Sequence, residues 1–137
     1  MEKAQSKSLM AGRRAVVIAG LLLGLGLWVL SPVLVGQVEP WDAERPYYTV
    51  VLLAGGVLLG LAWPQHWLSA FFALWGGQCI ALLFPPHELA WYLVGVATTG
   101  IGSLLGLVGV MFGATVKFAW RAIARRNSAD VQGNFEK

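Results

Sequence analysis

Between Arg45 and Glu88 the chain runs for 42 residues without a charged side chain, and none appears between Glu88 and Lys117. A charge at the middle of a bilayer costs at least a few kcal/mol, so long uncharged runs bounded by charges are what hydrocarbon selects. Over all 137 residues, 57 % are hydrophobic and 12 % charged, where a soluble domain carries about 25 % charged residues. A soluble fold of this length would lack the polar surface to cover its core. The pattern predicts an all-α, polytopic integral membrane protein.

Four apolar runs can be delimited. The first is 15–36, long enough as a helix to cross a hydrocarbon core of about 30 Å. Lys3, Lys7, Arg13 and Arg14 precede it, which raises the question of a cleaved signal peptide. The apolar run exceeds a usual signal core and no small-x-small site precedes Gln37, so an uncleaved anchor is expected. Residues 37–46, with two prolines and four charges, form a polar loop. The second run, 47–63, and the third, 67–84, are near the lower limit for spanning and are separated by Pro64, Gln65 and His66. Pro85 and Pro86 end the third, and the fourth covers 89–116. The expected fold is four transmembrane helices in an up-down-up-down bundle; the alternative is that the second and third runs form a re-entrant hairpin.

Orientation follows from the distribution of Lys and Arg. A basic N-terminal segment, 1–14, precedes the first span, and Lys117, Arg121, Arg125 and Arg126 follow the last. The first loop holds one basic residue, Arg45. The positive-inside rule then places both termini in the cytoplasm of a cell with this protein in its inner membrane. Residues 117–126 are expected to form a basic amphipathic helix on anionic headgroups, and 127–137 a disordered tail. The net charge of +3 is thereby assigned to membrane lipids and not to nucleic acid.

Gly95, Thr99, Gly102, Gly106, Gly109 and Gly113 are spaced by 4, 3, 4, 3 and 4 residues. This is a heptad seam with small residues where a coiled coil would place leucines. In lipid, small residues let two backbones approach, and dispersion replaces the hydrophobic drive that lipid removes. Such a seam packs helices within one chain or joins it to another copy or a larger membrane complex.

Chemistry-bearing residues are few. Gln78 is the one strongly polar side chain near the middle of a run, with Thr98, Thr99 and Ser103 as candidate partners across a helix interface. His66 and His87 fall at opposite ends of the third run, and Cys79 lies too deep to join either. No metal, cofactor or catalytic set is therefore expected. The expected function is a non-enzymatic accessory, assembly or scaffold protein acting through helix packing. The alternatives are a small self-associating channel or transporter lined by Gln78, Thr99 and Ser103, and a holin-like membrane-lesion protein.

Overall fold

The computed structural model describes residues 2–43, 46–84 and 89–135, with side chains for 10–43, 46–84, 89–126 and 128. It is 91 % helical, and no strand occurs among the described residues. Four helices follow in order: α1 (Glu2–Val35), α2 (Tyr47–Ala62), α3 (Trp67–Ala81) and α4 (Leu89–Phe135). Short 3-10 turns at Pro40–Asp42 and Pro64–His66 separate the first three. Within α1 and α4, the segments Met10–Val35 and Leu89–Arg126 are each long and apolar enough to cross a membrane. α2 and α3 are shorter, and the chain bends by 118° between them.

The helix ends have local causes. Gly36, at φ +73°, takes the left-handed conformation just past Val35 that commonly stops a helix, and a side chain there would be strained. Pro64 lacks the N–H needed to continue α2, so Trp63 closes the helix through its backbone N–H to Leu59 O, 2.9 Å. The third expected span, 67–84, is corrected at its end. Helix α3 stops at Ala81, and residues 82–84 tighten into turns closed by Leu83 N–H to Ile80 O and Phe84 N–H to Ala81 O. Phe84 precedes Pro85, and the residue before a proline is disfavoured in helical geometry.

Helix α1 takes in the basic segment 1–14 from Glu2 onward. Helix α4 likewise takes in the basic helical segment 117–126, and it continues to Phe135 where a disordered tail was expected. No glycine or proline interrupts residues 114–132, and alanine, lysine and arginine carry a helix at little cost. At 47 residues α4 is about 70 Å long.

Large apolar side chains such as Leu22, Val33, Leu58, Ile101, Val108 and Phe112 are exposed, while the interior mixes glycines and alanines with a few large residues such as Leu52, Leu74 and Val110. Such a surface suits lipid and would be a very large apolar patch in water. The closest approaches join helices that are not consecutive. Gly20 and Gly24 of α1 lie on Ala73, Leu74 and Gln78 of α3, and Gly77 lies on Leu21 and Leu25. Gly56 and Gly60 of α2 lie on Gly106, Val110 and Ala114 of α4. Both registers rise together, so α1 runs parallel to α3, and α2 to α4. Consecutive helices run antiparallel: Tyr47 OH donates to Leu27 O at 3.0 Å, while Gly12 sits beside Trp63 and His66 at the other end.

The seam of α4 divides into two physical types. At Gly95, Gly102 and Gly106 the missing side chain receives a neighbouring one, respectively Leu82, Tyr48 and Leu74. At Gly109 and Gly113 it admits backbone: a Cβ would meet Leu53 O and Val57 N, or Val57 O and Leu61 N, in α2. A backbone cannot swing aside as a leucine tip can. Gly109→Ala is therefore expected to lose about 1–3 kcal/mol by overpacking. Gly106→Ala meets only the movable end of Leu74 and Leu52 O at an ordinary 3.6 Å. Its clash is offset by the roughly 1 kcal/mol gain in helix propensity. Thermal unfolding in detergent should rank Gly109→Ala below Gly106→Ala and the exposed control Val108→Leu. Equal midpoints for the two glycine variants would contradict this packing.

Candidate functional site

The polar residues in the middle of the bundle come together around Gln78. This side chain is fully buried on α3 and is reached from both neighbours. Its Nε2 donates to Ser103 Oγ on α4 at 2.8 Å, and Tyr48 OH on α2 donates to its Oε1 at 2.8 Å. Gly102 makes this possible, since a Cβ there would occupy the space of the Tyr48 hydroxyl end. The amide thus ties three helices at one level. Its carbonyl and its amino group each find a partner, as a buried polar group requires.

Of the partners expected for Gln78, only Ser103 makes the contact. Thr98 OH donates to Val94 O, and Thr99 OH to Gly95 O and Val96 O, so both hydroxyls return to their own helix. Tyr48 was not legible as a partner, because tyrosines at span ends read as headgroup anchors. One signal was available. Tyr47 and Tyr48 are adjacent, so on a helix they point about 100° apart and cannot share one environment. Tyr47 bonds the α1 backbone and Tyr48 turns inward.

At one end of the bundle lies an aromatic group around a carboxylate. Trp28 and Trp41 meet edge to face with centroids 4.8 Å apart, and Trp41 meets Tyr48 similarly at 6.1 Å. Trp41 Nε1 donates to Glu39 Oε2 at 2.8 Å. The half-buried Glu39 borders two clefts, of about 300 and 250 Å³. Nearby on α1, Trp28 Nε1 and Ser31 Oγ are buried without hydrogen-bond partners.

The opposite end carries basic charges. Arg13 and Arg14 are exposed and, with Met10, Val17 and Ile18, line an open groove. His66 does not face outward as an interfacial histidine would; its Nε2 is enclosed, unpartnered, and near the space a Cβ on Gly12 would fill. His87 and Glu88 lie outside the described residues, as do Glu44 and Arg45. Among the described residues no group of His, Cys, Asp and Glu has metal-binding geometry. On α4, Lys117 is half-buried and Arg121, Arg125 and Arg126 are exposed. Since one continuous helix carries them, Arg125 and Arg126 stand roughly 12–14 Å beyond Lys117 along the axis.

No family model, curated protein or solved structure matches this chain. The residues themselves therefore carry the functional reading.

Removing one member of the Gln78 network strands a buried group. Ser103→Ala and Tyr48→Phe should each cost about 1–2 kcal/mol, within the range for membrane-helix hydrogen bonds and unsatisfied polar groups. Adding Gln78→Leu to the double variant should return part of that loss, because no stranded amide then remains. Detergent unfolding midpoints would show it. If the triple variant is the least stable, the amide is held by something other than these two partners.

Proposed function

We propose that this chain is a non-enzymatic inner-membrane protein that crosses the bilayer four times with both termini in the cytoplasm, and that it serves as an accessory, assembly or scaffold subunit. Two long helices supply the first and last crossings. The depth of the α2–α3 turn supports two more. Gly12, beside which that turn packs, is followed directly by Arg13 and Arg14. Charged side chains of this kind sit at headgroup level, so a turn at the same depth reaches the far interface. A re-entrant hairpin would stop short of it. The flanking Lys and Arg residues support cytoplasmic termini.

The observation that carries the subunit reading is the enclosure of Gln78. Tyr48 and Ser103 take up its polar atoms, and Thr99 bonds its own backbone. A channel or transporter needs polar groups along a path from face to face. Here the central ones tie helices together. The small-residue seam is likewise occupied by α2 and α3 of the same chain. The surface left for a partner is the exterior of large apolar residues and the projecting end of α4.

Topology is tested by thiol labelling in a Cys79→Ser background. Cysteine replacing the exposed Gln65 should react with an impermeant maleimide only from the cytoplasmic side, and cysteine replacing Asp42 only from the outside. Labelling of position 65 from the outside would establish a re-entrant hairpin in place of two crossings.

The subunit role is tested by purification at native expression in mild detergent, followed by native mass spectrometry. A stoichiometric heteromeric complex is expected. A uniform homo-oligomer that conducts ions in planar bilayers would instead establish the channel reading.

A further inference from the structure

The two clefts that meet at Glu39 have the chemistry of a ligand site. The larger, of about 300 Å³, lies between α1, α3 and the loop after α1. Leu25, Trp28, Val29, Leu82 and Phe84 are among its walls, and Glu39 is the one charged residue lining it among the described residues. The second, of about 250 Å³, continues past Glu39 and Leu82 to Trp41 and Trp91. A volume of a few hundred Å³ is at the small end of ligand pockets. It admits a headgroup and the first part of a chain, not a whole phospholipid.

Charge decides the class of occupant. Glu39 spends one oxygen on Trp41 Nε1, and a carboxylate with two oxygens retains further acceptor capacity. Asp42, exposed on the same loop, adds negative charge. Loop residues 37–46 hold three carboxylates, Glu39, Asp42 and Glu44, against the single arginine Arg45; Arg13, Arg14 and the α4 cations are at the opposite end. The indole rings of Trp28, Trp41 and Trp91 line the same two clefts as the carboxylate, and indole rings attract cations. Apolar walls complete the fit to a molecule with both a positive head and a hydrocarbon tail.

We infer that the Glu39 cleft binds a cationic amphiphile, with an ammonium head on the Glu39 carboxylate and its tail against Leu25, Val29 and Leu82. This ligand chemistry has two sources: the ethanolamine head of a membrane lipid, or a free amphiphilic amine. The inference stands on the cleft itself, and the four-crossing reading sets only the side of the membrane it faces.

The full chain in a neutral maltoside detergent would be titrated with dodecylammonium at pH 7, with binding read from the unfolding midpoint. Dodecanol supplies the tail without the charge. Dodecylammonium should raise the midpoint and dodecanol should not. Glu39→Gln should weaken dodecylammonium binding about tenfold or more, the loss of a hydrogen bond to a charged group. Val29→Trp, at an exposed position on the cleft wall, fills the cleft while keeping the carboxylate, and should abolish binding. This variant decides the matter if Glu39→Gln fails to fold. Competition by a lyso-phosphatidylethanolamine would identify the lipid as the source; its failure beside intact dodecylammonium binding would identify a free amine. Equal responses to dodecylammonium and dodecanol, unchanged affinity in Glu39→Gln, or full binding by Val29→Trp would each overturn the inference.

Discussion

Backbone contact between parallel helices is the interaction on which the rest of this structure depends. Gly56 and Gly60 of α2 sit against α4, while Gly20 and Gly24 of α1 sit with Gly77 of α3 in a second contact of the same kind. In lipid no hydrophobic gain accompanies helix association, because a leucine is as well solvated by acyl chains as by protein. What remains is dispersion at close range, which decays steeply with distance. Removing side chains at the contact is the direct way to shorten that distance. The glycines that would weaken a helix in water are therefore what hold this one against its neighbour.

Side-chain contacts between antiparallel neighbours supply what the glycine contacts lack. Trp75 Nε1 donates to Val96 O at 3.2 Å between α3 and α4, and Tyr47 ties α2 to α1. The Gln78 network joins α2, α3 and α4 at a single level. Dispersion at a smooth glycine face tolerates sliding, whereas a buried amide with two directed partners is satisfied in one register. The glycine contacts thus bring helices close, and Gln78 specifies their axial alignment. Interfaces of both sorts leave the exterior to large apolar side chains.

The two ends of the bundle differ in chemistry. One collects Arg13, Arg14 and the cations of α4; the other gathers tryptophans around Glu39. That polarity is what the proposed orientation uses, and it gives the proposed amine site its electrostatic setting. An anion would be repelled at Glu39 and attracted at the opposite face.

Some of this was legible in the residues and some was not. Apolar runs and charge placement locate all four helices and bound α2 and α3 to within a few residues, because hydrocarbon penalises each charge locally, whatever the fold. The small-residue spacing in α4 likewise announces a contact face, since only a close neighbour explains glycines at that period. The identity of the neighbour was not legible: one seam serves Leu82 just past α3, Leu74 of α3, Tyr48 of α2, and then the α2 backbone. Nor could spacing reveal that the tightest pairs are parallel and non-consecutive, or that Tyr48 and not Thr99 completes the Gln78 network. The change in composition after Val116 does not interrupt the backbone, which stays helical to Phe135. Residue chemistry acts on each helix alone and is written along the chain. Partner choice depends on how four surfaces fit together at once, and only the tertiary structure decides that.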